Sequence, residues 1–559
     1  MRRGLAVLFC SLGMVFAGNA VSKSEVQSSY FVPGEILVKF KGHVSDFSIQ
    51  GIGMHQFVGA EVLRSYTLVR GLQHVRVVNP DIEEALRFYN NHPMVEYAEP
   101  NYIYSINRMG PLATFPNDPL FSDLWGLRNT GQKDANGNEG FQGADINMVE
   151  AWKSSVGNKN IIVGIVDTGV DYTHEDLKEN IWTNTAEIPG NEIDDDQNGY
   201  VDDIHGWDAY NDDGDPMDDH NHGTHVSGTI AGVGNNAKGV IGVAPNVSLM
   251  GAKFLSANGS GQLSDAVEAI DYAVLMGAKV LNNSWGGGGY SQTLYDAIEN
   301  AHKKGVIFVA AAGNSTLNND YTDHYPSSYE LPNVIAVGAT TNRDELASFS
   351  NYGMHTVHVA APGNAIMSTV IGNKYAAYSG TSMATPHVAG VVALLLDGNP
   401  GFTVEEIKER LISTSDDIVS LRRRVIAGGR VNAYNAIHNI IPPLKGPKDP
   451  GDWQEVEKEV STPHNYPNNS KLSWTLSHPG ATHLKLYFKK IETEEGYDVI
   501  KVKNKNGEMV DFIDGKFDGL WSFIVLGDTV HIEFESDATI QKYGFEINKY
   551  AFSERSPLE

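Results

Sequence analysis

The chain has 559 residues, 41% of them hydrophobic, with 57 glycines and one cysteine. Its length predicts several domains with sizeable cores. The 69 acidic and 42 basic residues leave a net charge of −27, which argues against nucleic acid and anionic membranes as partners.

Residues 1–20 read as a signal peptide. Arg2 and Arg3 precede an apolar run, Leu5 to Ala17, that is too short to span a bilayer, and small residues follow at Gly18 and Ala20. Cleavage is expected after Ala20; a short membrane anchor is the competing reading. Cys10 lies in this run, and Phe9 stands where a lipoprotein would carry a small residue. The exported chain would hold no cysteine, so core size and metal ions must stabilise it without disulfides. A secreted, extracellular monomer is expected. No later segment is long and apolar enough to cross a membrane.

Residues 25–105 read as a small α+β unit. Ile36, Val38 and Phe40 alternate with Lys39 and Lys41, as in a half-buried strand. Ile82, Ala85, Leu86 and Tyr89 have helical spacing, and 94–104 looks extended. Residues 106–440 form the central unit, patterned from about 117. Ile161–Val166, Val247–Phe254, Lys279–Leu281, Val306–Ala310, Val334–Val337 and Val357–Ala360 are short runs, apolar on both faces. Such runs suit buried parallel strands with helices between them. The fold class is α/β, an open, mainly parallel sheet with helices on both faces. Val388–Leu395 is apolar all round and predicts a central buried helix. Residues 441–457, rich in Pro, Gly and charge, read as a linker. Short alternating runs in 458–552, among them Leu472-Trp474-Leu476 and Val530-Ile532-Phe534, predict an all-β sandwich.

Three separated segments carry the chemistry: Val166-Asp167-Thr168-Gly169, His222-Gly223-Thr224-His225 and Gly380-Thr381-Ser382-Met383-Ala384. A serine hydroxyl needs a base to take its proton, histidine titrates near neutrality, and a buried carboxylate fixes its tautomer. Ser382, His222 and Asp167 can fill these roles. Gly380 would let substrate backbone approach. Ser382 would open a helix whose dipole favours negative charge there, with Pro386 in its first turn.

These segments, in this order, resemble the subtilisin family of serine proteases. The likeness continues through Gly239-Val240-Ile241-Gly242-Val243-Ala244-Pro245, Ala311-Ala312-Gly313-Asn314 and Ala361-Pro362-Gly363. By that resemblance Asn314 supplies an oxyanion amide beside the Ser382 N–H. Gly259-Ser260-Gly261 and Ser284-Trp285-Gly286 would flank the substrate as added strands, and Ala311, Ala312 and Gly313 would line the pocket for the residue preceding the scissile bond. Tyr325-Pro326 matches as well, which puts His324 at the base of that pocket, unless its ring points away. A lone Asp-Thr-Gly also occurs in aspartic proteases. Sedolisins share a similar serine segment, but they use Glu and an oxyanion Asp. His220, His222 and His225 admit a zinc reading without a His-Glu-x-x-His pattern, and His225 also reads as a buried structural histidine. A non-peptidase serine esterase and a catalytically silent, calcium-binding adhesive protein are the rival functions.

Asp167 and His222 stand 55 positions apart, more than a compact subtilisin requires. The insertion is acidic. Asp194, Asp196 and Asn198 offer oxygens at alternate positions, with Gly199 sixth, as in the front half of a calcium loop. Position twelve is His205, not Glu. A solvated acidic loop is the competing reading. Resemblance to thermitase-like members implies a second calcium site at Asn117, Asp118, Asp176 and Asn236. The stretches Val32-Pro33-Gly34-Glu35-Ile36 and Val95-Glu96-Tyr97-Ala98-Glu99-Pro100-Asn101 resemble an inhibitory propeptide, which implies an intramolecular inhibitor removed by self-cleavage between about Tyr104 and Pro116. A retained domain is the alternative. His464-Asn465-Tyr466-Pro467-Asn468 and Gly496-Tyr497-Asp498 resemble a CUB domain without its cysteines, which implies calcium at Asp498 and Asp537 with Glu494. Protein or peptide substrates are the expected partners.

Overall fold

The computed structural model describes residues 31–41, 54–66, 71–78, 82–102, 115–442 and 449–555. The expected signal peptide with Cys10, and most of the expected cleavage segment, lie outside the described residues. The chain divides into two units, Met1–Arg108 and Met109–Glu559.

In the first unit β1 (Phe31–Phe40), β2 (Ala60–Ser65), β3 (Leu72–Val77) and β4 (Val95–Tyr102) form an antiparallel sheet ordered β2-β3-β1-β4. Helix α1 (Glu83–Asn90) packs against β4. Ile36, Val38, Val75 and Tyr89 are the buried centre. The alternation read along β1 therefore points into a core. Strand β2 escaped the sequence reading because nearly all of its side chains are exposed, which leaves no apolar alternation to see.

The second unit is built on a nine-stranded sheet. In chain order the elements are β5 (Ile162–Asp167), β6 (Gly206–Asp208), α2 (His222–Ala231), β7 (Ser248–Lys253), α3 (Leu263–Leu275), β8 (Val280–Asn283), α4 (Gln292–Lys303), β9 (Ile307–Ala311), β10 (Val334–Thr340), β11 (Val359–Pro362), the hairpin β12 (Ile366–Val370) and β13 (Lys374–Tyr378), α5 (Thr381–Gly398), α6 (Val404–Ser413), β14 (Asp416–Asp417) and β15 (Gly429–Arg430). The sheet order is β14-β15-β11-β10-β9-β8-β5-β7-β6, and every pair is parallel except β14–β15. Neighbouring strand residues enter opposite cores. Ile165 and Val309 join the cluster beneath α2 and α5, whereas Val166 and Phe308 join the one beneath α3 and α4. A sheet covered on both faces needs apolar side chains at both parities, which is why its strands read as unbroken runs. Strand order reverses about β5, and ligands bind beyond the carboxyl ends at such points. Asp167 is the last residue of β5.

Helix α5 is buried along its middle, as expected, but it starts at Thr381 after Gly380. Pro386 therefore lies beyond the first turn. Its missing N–H leaves the Ser382 carbonyl without a helical partner, and Ser284 Oγ donates to that oxygen at 2.9 Å. The β12–β13 hairpin was not among the expected strands. Ser368 Oγ and Thr369 Oγ1 donate to the carbonyls of His225 and Thr224 at 2.7 Å each, pinning the hairpin to α2.

The C-terminal region is a sandwich. One sheet runs β16 (Gln454–Ser461), β25 (Gly544–Ser553), β18 (His483–Glu492) and β21 (Lys516–Phe517), with β22 (Leu520–Trp521) and β23 (Val525–Leu526) also on β18. The other runs β17 (Lys471–Ser477), β24 (Thr529–Glu535), β19 (Val499–Asn504) and β20 (Met509–Ile513). Phe488, Phe534 and Phe545 meet between them. Strand β16 begins inside the stretch expected as linker. It is an edge strand whose largely exposed, charged side chains imitate a linker. Among the described residues no helix is long and apolar enough to cross a membrane.

Candidate active site

Asp167 ends β5, His222 opens α2, Asn314 follows β9 and Ser382 lies in the first turn of α5. Asp167 is fully buried; its Oδ1 lies 2.8 Å from His222 Nδ1 and accepts Thr168 N–H at 2.7 Å. The Nδ1 contact fixes the proton on that nitrogen and leaves Nε2 as the basic one. Burial pushes the His222 pKa down, but the charge and hydrogen bond of Asp167, helped by Asp218, outweigh it and hold the pKa above its ordinary value.

A close approach holds the acid and the base together. A Cβ on Gly223 would meet Gly169 O at 1.9 Å, so only glycine lets α2 start against the turn after Asp167. Asp218, 3% exposed, staples the same junction. It accepts Thr168 Oγ1 at 2.9 Å and Thr224 N at 2.8 Å, and Thr168 Oγ1 accepts Gly223 N–H at 2.9 Å. A carboxylate at the start of α2 also suits the helix dipole. Lys253, 1% exposed, donates to Thr168 O and Asp219 Oδ1 at 2.9 Å and to Leu255 O at 2.7 Å. Sequence reasoning missed both residues: Asp218 was hidden in an acidic run and Lys253 at the end of an apolar one.

The Ser382 hydroxyl donates to Ser284 O at 2.9 Å. Asn314 Oδ1 accepts from Thr381 N at 2.8 Å and Thr381 Oγ1 at 3.0 Å, which turns its amide nitrogen the other way. A Cβ at Gly380 would lie 3.5 Å from Asn314 Nδ2 and 3.6 Å from Ser382 N, so both donors border one small space that glycine leaves open. A cleft of about 260 Å³ joins His222, Ser382, Asn314, Ser284, Gly313 and His324. Two donors beside a hydroxyl and a base can stabilise the oxyanion of acyl transfer.

The two expected substrate stretches, Gly259-Ser260-Gly261 and Ser284-Trp285-Gly286, come together: all but Ser284 border a second groove of about 580 Å³, with Phe254, Leu263 and Tyr290. Ala311 and Gly313 line the cleft. Ala312 does not; it is fully buried against Val357 and Ala360, because alternate residues of a strand end face opposite sides. His324 faces the cleft. An added Cβ on Gly286 would meet its Cε1 at 2.2 Å and one on Gly313 its Cδ2 at 2.9 Å, so the ring fills the gap between the two walls. Burial lowers its pKa.

His225 is buried, stacked on Tyr378 at 4.5 Å, with Nε2 near the carbonyls of Ile366 and Ala376 at 3.0 and 3.1 Å. Burial pushes its pKa down to about 3, so it stays neutral. Its environment is that of a structural histidine, and no His cluster is among the convergent metal-type groups of the described residues.

Those groups are carboxylates. Glu187 joins Asp194 and Asp196, with ligand oxygens within 4.8 Å of one another. Asn198 belongs to the same turn: its N–H donates to Asp194 and Asp196 at 3.0 Å each. Glu187, seven residues before Asp194, carries no spacing signal. Asp118 and Asp176 are buried at 4% and 0% exposure, and Asn236 touches both: its N–H donates to Asp118 at 3.3 Å and its amide to Asp176 at 2.6 Å. Burial raises both carboxyls, and the charge of Asp176 raises Asp118 further. Glu494, Asp498 and Asp537 converge in the sandwich. All three sets offer hard oxygens with excess negative charge, which fits Ca²⁺ better than softer metals.

The model of the subtilase family matches residues 158–441, the region that holds Asp167, His222, Asn314 and Ser382. The chain belongs to the subtilase family. Residues 17–101 match the fervidolysin N-terminal prodomain and 454–549 the CUB domain. This subtilase is 39% identical over 420 residues to the thermophilic serine proteinase of Bacillus sp. (strain AK1), covering 74% of this chain and 90% of that one. It is 37% identical over 322 residues to thermitase of Thermoactinomyces vulgaris, covering 58% and 99%. It is 37% identical over 302 residues to subtilisin-like protease 2 of Plasmodium falciparum, covering 52% of this chain and 22% of that one. It is a subtilisin-like serine endopeptidase with a prodomain.

Proposed function

We propose that this subtilase is a secreted, calcium-stabilised endopeptidase that cuts through an Asp167–His222–Ser382 triad and releases its own propeptide. Buried Asp167 paired with a half-buried His222 that faces the Ser382 cleft carries this reading. In the resting arrangement Ser382 donates to Ser284 O. Released from Ser284, the hydroxyl would turn to His222 Nε2, which would take the proton as Ser382 Oγ attacks the scissile carbonyl. Asp167 holds the imidazole and stabilises its charged form. Asn314 Nδ2 and Ser382 N receive the oxyanion. His222 then protonates the leaving amine, and water attacks the acyl-enzyme by the same route in reverse. An extended substrate would pair with Gly259-Ser260-Gly261 and Ser284-Trp285-Gly286, which favours peptides over simple esters.

Calcium would bind at Asp118, Asp176 and Asn236, at Glu187, Asp194, Asp196 and Asn198, and at Glu494, Asp498 and Asp537. It would supply positive charge that neutralises the crowded carboxylates. Residues 1–20 would direct export, 25–105 would inhibit until cleaved, and the sandwich would stay attached to the peptidase domain. A fluorophosphonate probe on processed protein, with the labelled peptide identified by mass, tests the reading. Label on Ser382 and casein hydrolysis are expected, and the Ser382→Ala chain should keep its propeptide. Label elsewhere, ester cleavage without casein cleavage, or normal processing of Ser382→Ala would refute it.

A further inference from the structure

The loop after Asn314 is held from two sides, and one side is the C-terminal sandwich. Inside, Asn351 Oδ1 accepts from Ser315 N at 2.9 Å and Leu317 N at 3.0 Å, and its Nδ2 donates to Asn319 Oδ1 at 3.0 Å. Outside, Asn318 Nδ2 donates to Glu495 Oε1 at 3.0 Å. Gly496 lies so near that an added Cβ would come within 3.3 Å of Thr316 Cγ2. Asp514 anchors this part of the sandwich: it accepts Gly496 N–H at 2.8 Å and pairs with Arg424 of the peptidase domain at 2.5 Å. The pair is buried, with side chains 7% and 4% exposed. The Arg424 guanidinium also sits 4.4 Å over the Tyr352 ring, and Tyr352 backbone groups bond Leu317 and Asn319. Burying an ion pair with one partner in each domain makes separation costly, because each half would be stranded.

We propose that the sandwich is a positioning element of the catalytic unit: Glu495 and Asn318, backed by Asp514 and Arg424, hold the loop that aims the Asn314 amide at the oxyanion. The proposal rests on Asn314 serving as that donor. Oxyanion stabilisation depends on preorganisation, so freeing one side of the loop weakens transition-state binding. Gly259-Ser260-Gly261 and Ser284-Trp285-Gly286 belong to other segments, and Ala311 and Gly313 precede the loop, so ground-state binding should change little.

The test uses processed full-length enzyme, with rates expressed per Ser382 site titrated by the fluorophosphonate. Glu495→Ala should lower kcat about tenfold with KM within about twofold, and weaken a peptide boronate equally. Glu495→Gln keeps an acceptor for Asn318 and should restore the rate. Asn318→Asp should impair, and the Asn318→Asp/Glu495→Gln double variant should recover by exchanging donor and acceptor. In an Asn314→Ala background Glu495→Ala should add no further loss of kcat. A purely structural role would lower the melting temperature and the titratable fraction without touching kcat per site. Unchanged kcat per site in Glu495→Ala, a change confined to KM, or equal losses in the Gln and Ala variants would overturn the proposal. Absence of a titratable Ser382 in the parent enzyme would instead remove the peptidase reading beneath it.

Discussion

The Ser382 carbonyl yields a sharp prediction. In an uninterrupted helix it would accept the N–H of residue 386, which is proline. Ser284 Oγ takes that place at 2.9 Å, and Ser284 is 3% exposed. Ser284→Ala removes the donor and strands the acceptor, at a cost of about 1–3 kcal/mol. At roughly 2 °C per kcal/mol for a domain of this size, the melting temperature should fall by about 2–6 °C. Pro386→Ala returns an N–H directed at the same oxygen, so in that background Ser284→Ala should cost less than about 1 kcal/mol. The resulting coupling is about 1–2 kcal/mol. Calorimetry at a fixed scan rate on chains that also carry Ser382→Ala prevents self-digestion and leaves the backbone carbonyl in place. Equal Ser284→Ala penalties in the parent and in the Pro386→Ala background would refute the reasoning.

Four further outcomes are expected. Because His222 must be neutral to act as base and its pKa is raised, the rising limb of kcat/KM should lie above pH 6.5. Asp167→Asn should move it down while kcat falls about 10⁴-fold, as is typical of serine proteases; a stationary limb in a pH profile would oppose this. Asn314→Ala should lower kcat about 10²–10³-fold with KM little changed, the loss typical of subtilisins that lack this donor. A raised KM with kcat intact would mean that Asn314 binds substrate only. Chelation should lower the melting temperature, and more so at pH well above the raised carboxyl range than within it. Asp118 and Asp176 have raised pKa values when folded, so without a cation they favour the folded state at low pH and lose that contribution as pH rises through those values. A penalty that does not depend on pH would count against these residues as ligands. His324→Ala should open the cleft floor and raise the rate for Phe relative to Ala before the scissile bond by about tenfold; an unchanged ratio in a peptide library would show that the ring does not limit the pocket.

The sequence by itself determined the family, the residues of the proposed triad and the sheet. Asp167, His222 and Ser382 each stand in a short segment of small residues, because their neighbours must approach closely, and such constraints survive in the local string. A sheet covered on both faces writes itself as unbroken apolar runs, so β5, β7 and β9 were legible. Ala312 was misassigned because strand parity at the end of β9 depends on where the chain leaves the sheet. Acidic residues were the least legible class. Asp218, Asp194 and Asp514 look alike in a chain of net charge −27, yet one staples the start of α2, one converges with Glu187 and one pairs with Arg424 across two domains. A carboxylate's role is set by what removes its water and which charge replaces that water. Thr168 and Arg424 come from remote segments, and Glu187 reaches Asp194 only through the path of the intervening loop, so only the tertiary structure decided these partners.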